Sequence, residues 1–386
     1  MNGNASRTEV DARLRDPLAD CRARPGGVGV VGPDIPIDVL IASGRPFGHL
    51  PWRSEGATPW ADRWLESSFP YWSRSILEQW HDGAFDALET VVFSRADDAS
   101  QRLYYYVGEL QRRGRLGGPV PRMFDIALIQ RESSLAHTEA AVLDLMRALD
   151  VAADKLPEGI ERANRLRRGL AELERSRAGD GPSYERLGRA ALWTDPCTWI
   201  ERVQRPQSSP AAVRIMLAGS MPPDERLHEA VEAAGASIVA EAHALGLGRL
   251  GPELGAVQVR RPGEDRAVPS RASGDGAVSP DAPADEPEPP ARALARHLRA
   301  ASLAPRAFID RAAGLVDRAR AAKASAVVIW LTREDEALAW SAPSQQRALA
   351  AEGLPVLLLA ARRWQADDDT PERIMEFVGR CANASA

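Results

Sequence analysis

The feature that most constrains the fold is a strand–helix–strand unit with very short connections near the middle of the chain. The apolar run Val213–Ser220 is followed by Pro222–Asp224 and then by a helical pattern that ends before Gly235. Glycine is typical of the position just past a helix, and Ser237–Ala240 then reads as a second strand. Two strands joined through a helix run parallel, with a right-handed crossover. The unit therefore predicts an open parallel sheet.

The same alternation recurs along the chain and predicts a doubly wound α/β fold with mostly parallel sheets. Further strands are predicted at Phe47–Pro51, Thr90–Phe93, Ser325–Leu331 and Pro355–Ala360. The segment after Glu132 has a helical pattern and predicts a helical insert that caps the first sheet. The predicted domains are a disordered leader (1–34), a first α/β domain (35–130), the helical insert (131–208) and a second α/β domain (209–386) containing a disordered loop (262–290).

Composition excludes several classes of function. The chain has 386 residues and a net charge of −5, which gives no support to nucleic-acid binding, since that requires a clustered basic surface. No window approaches the roughly 18 apolar residues that a membrane span requires. The first residues are polar and lack the apolar core of a signal peptide, so the expected location is the cytoplasm.

The three cysteines, Cys21, Cys197 and Cys381, lie far apart in the sequence and form no CxxC or CxxxH pattern. The six histidines are equally scattered. A zinc or iron–sulfur site needs three or four converging ligands, so we interpret the cysteines as structurally neutral and predict no metal site.

Two other patterns each allow two interpretations. Gly27–Gly32 matches the dinucleotide-binding pattern GxGxxG, but prolines flank it where a strand and a helix N-terminus are required, which favours a chance match. Five of the ten tryptophans, Trp52, Trp60, Trp64, Trp72 and Trp80, fall within thirty residues. They form either a wall for an aromatic or acyl ligand or, as we favour, a core or subunit interface.

Acidic residues follow two of the predicted strands. Asp97 and Asp98 come shortly after Thr90–Phe93, and Glu334 and Asp335 come shortly after Ser325–Leu331. Ligands bind at the carboxyl ends of parallel strands, so these ends are the best candidates for the walls of one cleft. Paired carboxylates there suit acid–base work or a hard cation, whereas the simpler interpretation is that they cap the following helices.

A colinear set of segments resembles one known family. It comprises Ile37–Ser43 with Pro46-Phe47, Val91–Phe93 with Gln101–Tyr104, Leu217–Ser220 with Glu232–Ala236, and Gly353–Leu357. In these features, spread over residues 35 to 380, the chain resembles the 2-hydroxyacyl-CoA dehydratase family, which includes benzoyl-CoA reductase subunits. The resemblance implies two flavodoxin-like domains, and in that family a cysteine-bound iron–sulfur cluster passes one electron to a CoA thioester.

The chain departs from the family at the cysteines. The positions that correspond to cluster ligands fall near Ser68–Pro70, at about Asp97, near Glu334, and near Ala301–Ala304. Carboxylates do not replace a set of thiolates around a cubane cluster. We therefore expect no iron–sulfur cluster in this chain, and expect one only in a partner subunit.

Three functions remain open on these grounds. The first, which we favour, is a cluster-less subunit that pairs with a cysteine-bearing paralogue in a heterodimeric lyase or reductase acting on an acyl-CoA. The second is a cluster-free enzyme that uses Asp97 and Glu334 as catalytic carboxylates. The third is a binding or scaffold protein that kept only the fold. The candidate substrate-binding residues are Gln101, Arg102, Ser220 and Arg333.

Overall fold

The computed structural model describes residues 7–177, 180–192, 211–255, 288–302 and 310–385. They form an α/β protein with two four-stranded sheets, in each of which all paired strands run parallel. Helices flank both sheets. The predicted α/β class and the two flavodoxin-like domains are thereby confirmed.

The first sheet has the strand order β2-β1-β3-β4. Its strands are β1 (Gly27–Val31), β2 (Phe47–His49), β3 (Leu88–Ser94) and β4 (Val120–Phe124). The helices in this half are α1 (Arg7–Arg15), α2 (Ala19–Ala23), α3 (Ile37–Ala42), α4 (Tyr71–His81) and α5 (Asp98–Arg112). The central strands β1 and β3 are almost fully buried, which explains their continuous apolar runs.

The predicted disordered leader is wrong for its described part, residues 7–34. Gly27–Val31 is the strand β1, which pairs with β2 on one side and β3 on the other. Its glycines are tolerated because neighbouring side chains fill their space: a Cβ on Gly29 would lie 2.7 Å from a methyl carbon of Leu50. The GxGxxG glycines therefore belong to a central strand and do not form a loop between a strand and a helix.

The second sheet repeats the first, with the order β6-β5-β7-β8. Its strands are β5 (Val213–Gly219), β6 (Ala236–Ala242), β7 (Ala326–Thr332) and β8 (Val356–Arg362). The helices around it are α9 (Arg226–Ala233), α11 (Arg311–Ala321), α12 (Glu336–Ala351) and α13 (Thr370–Ser385). The strand–helix–strand unit of the sequence is present as β5–α9–β6, with β5 and β6 parallel.

Three helices, α6 (Glu132–Ala148), α7 (Leu156–Arg175) and α8 (Gly181–Ala190), occupy the described part of the predicted insert. Short 3-10 turns lie at Ala153–Lys155, Ala61–Arg63 and Leu247–Leu250. The helix α10 (Pro290–Ala301) lies in the sequence of the second domain, yet its apolar residues join the core cluster of β1, α3 and α6. The two halves are therefore interlocked in space. The predicted loop at 262–290 falls, apart from residues 288–290, outside the described residues.

The strand orders fix where a ligand can bind. In each sheet the second strand is added on one side of the first, and the later strands are added on the other side. This reversal falls between β1 and β3 in the first sheet and between β5 and β7 in the second. Crevices open at the carboxyl ends of strands at such switch points, because the connections diverge there to opposite faces. The fold therefore provides two such points, one in each sheet.

Candidate functional site between the two sheets

A cavity of about 270 Å³ lies between the two sheets, at the carboxyl ends of their strands. Val31 and Gly32 at the end of β1 and Asp97 after β3 line it from the first sheet. Gly219 at the end of β5 and Thr332 at the end of β7 line it from the second. Both switch points thus open into one cavity, which is large enough for a small organic molecule.

Asp97 both lines the cavity and caps a helix. Its Oδ2 accepts hydrogen bonds from the backbone N–H and from the hydroxyl of Ser100, each 2.7 Å long. The simpler interpretation of this carboxylate, a helix N-cap, is therefore observed, and the cap also holds the carboxylate at the cavity wall.

Asp335 is the corresponding residue of the second sheet, and it lines the same cavity. It precedes α12 but makes no side-chain cap to that helix; instead its Oδ2 accepts a hydrogen bond of 3.2 Å from the Thr332 hydroxyl. Burial raises the pKa of Asp335 to about 6, and the nearby charges of Asp97 and Glu334 act in the same direction. Near neutral pH this carboxyl group can accept a proton or donate one.

The other predicted site residues are not among the described residues that line the cavity. Burial raises the pKa of Glu334, which is half-buried beside Asp335. The backbone N–H of Gln101 donates to the Asp97 carbonyl in the first turn of α5. The hydroxyl of Ser220 accepts a hydrogen bond of 2.9 Å from the backbone N–H of Thr332, which ties β5 to β7.

The two predicted arginines both have acidic neighbours. Arg102 donates to Glu66 over 2.8 Å and to Ser68 over 3.0 Å, and its guanidinium lies 4.0 Å from the centre of the Phe69 ring. Arg333 is exposed, with its Nε 3.9 Å from the Glu334 carboxylate. Neither arginine is among the described residues that line the cavity.

The tryptophan-rich stretch divides between the two interpretations. Trp52 and Trp72 line the cavity together with Trp364 of the second half. The indole N–H groups of Trp52 and Trp364 donate to the carbonyls of Pro223 and Met221, so the rings contribute mainly apolar surface. The centres of these two rings are 6.5 Å apart. The wall formed by Trp52, Trp72 and Trp364 can pack against a flat or branched apolar group of a ligand.

Of the remaining tryptophans of the stretch, Trp80 belongs to the core cluster of the first half, and Trp60 and Trp64 pack against that cluster. Trp80 is 2% exposed, and its indole N–H donates to the Gly117 carbonyl over 2.8 Å. For these three residues the favoured interpretation as core residues agrees with the structure.

Two histidines at strand ends were overlooked in the sequence. His49 ends β2 and His243 follows β6, and both line the cavity. Burial, helped by the charge of Arg249, lowers the pKa of His49 to about 3, so this imidazole is neutral. The rule that strand ends form the site would have identified both residues, had it been applied to every strand.

His243 lies next to a buried cluster of ionisable side chains around Glu241. The carboxylate of Glu241 is 4% exposed and lies 3.2 Å from Arg177, while His228 also contacts it. Arg177 and the two histidines hold the pKa of Glu241 well below its usual range, despite its burial. His243 Nε2 is 3.7 Å from the same carboxylate. These contacts join the end of α7 to the second sheet.

The described donor groups do not fit an iron–sulfur cluster. Within the described lining of the cavity the possible ligands are carboxylates and imidazoles, such as Asp97, Asp335 and His49, without a thiol. Cys21 is buried in the core of the first half and Cys381 in the core of the second. Cys197 lies outside the described residues. A cubane cluster requires several thiolates at one place, so we derive no chemistry through such a group.

No protein-family model matches the chain, and no curated protein matches it either. Among the described helices, none combines the length and the apolar character needed to cross a membrane.

Proposed function

We propose that the chain binds the acyl part of a CoA thioester in the cavity between its two sheets, as a 2-hydroxyacyl-CoA dehydratase-type subunit without an iron–sulfur cluster. One observation carries the proposal: Asp97 and Asp335 follow corresponding strands of the two sheets and line one cavity. These positions are those at or beside which the family resemblance places cluster ligands.

The chemistry of the cavity suits an acyl group. Apolar side chains such as Leu50, Ile76 and Leu331 supply most of the lining surface, and charged and polar side chains lie among them, as in many ligand pockets. The partly protonated carboxyl of Asp335 can donate a hydrogen bond to a carbonyl oxygen. A hydrogen bond made in a dry site is stronger than one made in water.

In this proposal a cysteine-bearing paralogue completes the heterodimer. That partner would hold the cluster and supply the electron, for radical dehydration or aryl-CoA reduction, while this chain would hold and orient a thioester. Trp340 on α12 is 87% exposed, which makes it a first position at which to test contact with a partner.

Binding is tested on the isolated chain with benzoyl-CoA, using coenzyme A alone as the control ligand. Benzoyl-CoA should raise the unfolding temperature in proportion to its binding, and coenzyme A should do so much less. Asp335→Ala, which removes the donor, should weaken the response to benzoyl-CoA, whereas Asp367→Ala, at an exposed carboxylate outside the cavity lining, should leave it unchanged. Equal responses to the two ligands would contradict the proposal.

Pairing is tested by co-expression with a cysteine-bearing homologue encoded nearby. The proposal expects a co-purified complex with iron and sulfide that turns over acyl-CoA, and little iron in this chain prepared alone. Trp340→Arg should reduce co-purification if α12 contacts the partner. Stoichiometric iron and sulfide in the isolated chain would overturn the proposed division of labour.

One observation favours a second candidate, a cluster-free enzyme. The raised pKa of Asp335 beside a second carboxylate is typical of acid–base pairs. Turnover of an acyl-CoA by the isolated chain, lost in Asp335→Asn and kept in Asp367→Asn, would select this candidate over the heterodimeric subunit.

A further inference from the structure

One face of the helix α11 lines the cavity. Arg311, Gly314, Leu315 and Arg318 follow the spacing i, i+3, i+4, i+7, which places them along one side of a helix. Two guanidinium-bearing residues on this side therefore line the cavity. On the opposite side, Arg320 is exposed and pairs with Glu352.

The hydrogen-bonding capacity of Arg318 is only partly used. Its Nη2 donates to Glu174 over 2.6 Å, while its buried Nε has no hydrogen-bond partner among the described residues. A guanidinium carries five N–H donors, and buried donors without acceptors cost free energy. An anion in the cavity would give this guanidinium a further acceptor besides Glu174.

Arg311 lies two turns before Arg318 and lines the same cavity. Burial lowers the pKa of Arg311, and the charge of Asp34 opposes that effect. The charges that act on Asp335 are instead Asp97 and Glu334. Asp310, the N-cap of α11, also lines the cavity, so the α11 end carries two guanidinium groups and one carboxylate, whereas Asp97 and Asp335 form an acidic end at the strand termini.

We propose that the α11 face with Arg311 and Arg318 binds the anionic oxygens of the ligand, either a carboxylate or a phosphate, while the acidic end receives an uncharged polar group. This inference rests on the proposed function and adds the polarity of the ligand. Arginine suits this role because its fork of N–H groups matches the two oxygens of a carboxylate or phosphate.

Three probes of similar shape test the inference: benzoate, its neutral analogue benzamide, and phenyl phosphate. Their dissociation constants are measured by calorimetry for the full chain. Wild type should bind benzoate or phenyl phosphate roughly tenfold or more tightly than benzamide, which is the range of a charge-assisted hydrogen bond. The tighter of the two anions identifies whether a carboxylate or a phosphate occupies this end.

The matched variants are Arg318→Gln and Arg320→Gln, on opposite sides of the same helix. Arg318→Gln should remove the preference for the anions and leave benzamide binding unchanged, whereas Arg320→Gln should change neither. Glu174→Gln, which frees Arg318 from its ion pair, should strengthen anion binding.

The outcomes separate this inference from the proposed function. If benzamide binds as tightly as the anions, or if Arg320→Gln has the same effect as Arg318→Gln, the α11 end is not a binding site. If none of the three probes binds, both the inference and the cavity as an acyl site are overturned. Because each dissociation constant is measured on folded protein, confirmed by circular dichroism, a loss of folding cannot imitate the result.

Discussion

Asp97 and Asp335 follow corresponding strands of two different sheets, and they meet at the wall of one cavity. The negative charge of Asp97 helps to keep the pKa of Asp335 high. Asp97 is fixed by capping α5, while Asp335 makes no cap to its own helix. The two carboxylates therefore have different environments although they occupy equivalent places in the fold.

The first prediction concerns Asp335 and pH. Its ordinary pKa of 3.8 is raised to about 6 in the folded chain, so the folded state binds the proton more tightly than the unfolded state does. Stability then falls as pH rises from about 4 to 6 and is lower above that range. Asp335→Asn should therefore stabilise the chain by about 1–3 kcal/mol at pH 8, and by little at pH 4. Urea unfolding of wild type and variant at pH 4 and pH 8 measures the gain in stability. An equal gain at the two pH values would contradict the prediction.

The second prediction concerns the buried ion pair between Asp38 on α3 and Arg167 on α7. Two hydrogen bonds of 2.9 and 2.8 Å join the groups, and the side chains are 0% and 2% exposed. Asp38→Ala should lower the free energy of unfolding by about 3–5 kcal/mol, because it leaves a buried guanidinium without its partner. Asp144→Ala, which breaks an exposed pair with Arg147, should cost less than about 1 kcal/mol. Urea unfolding of both variants measures the difference, and similar losses would show that Arg167 finds another acceptor.

The third prediction concerns Gly32, where β1 enters the cavity wall. Its φ is +89°, and a Cβ would lie 2.4 Å from the Ser100 hydroxyl that donates to Asp97. Gly32→Ala should therefore disturb the Asp97 cap as well as strain the backbone. Gly44 is the control, since its φ is +65° and no atom lies within 4 Å of the added Cβ.

Gly44→Ala should lower the free energy of unfolding by about 1–2 kcal/mol, which is the effect of the left-handed backbone alone. Gly32→Ala should cost at least about 1 kcal/mol more and should weaken binding of benzoyl-CoA. Thermal unfolding and calorimetry measure the two effects. Equal destabilisation by both substitutions would contradict this prediction, because it would show that the residues around Gly32 accommodate the added Cβ without a further loss of stability.

The fourth prediction concerns the reactivity of Cys21 and Cys381. Both thiols are buried, and burial raises the pKa of each, that of Cys21 to about 11. At pH 8 the reactive thiolate of Cys21 is then roughly 0.1% of the total. In a Cys197→Ser variant, iodoacetamide should label almost no cysteine in the native chain and both cysteines after unfolding. Fast native labelling, read by peptide mass spectrometry, would show that these thiols are accessible and remain possible ligands.

The sequence also predicted one candidate relationship that the structure refines. The acidic residues after β3 and β7 were expected to wall one cleft, and Asp97 and Asp335 do line one cavity. Glu334, one residue earlier, lies beside this wall and is not among the described lining residues. Both residues lie in the turn between β7 and α12, and Asp335 has a non-helical backbone (φ −86°, ψ 58°), so the adjacent carboxylates face different surroundings.

The sequence by itself determined the alternation of strands and helices, the parallel sheets and the strand ends at which acidic residues stand. These follow from local patterns: apolar runs, helical periodicity and glycine at helix ends. Only the tertiary structure decided that Gly27–Val31 is a central strand, that α10 packs across to the first half, and that Arg311 and Arg318 face the cavity. The reason is physical, because each of these depends on contacts between residues far apart in the chain, which local periodicity does not encode.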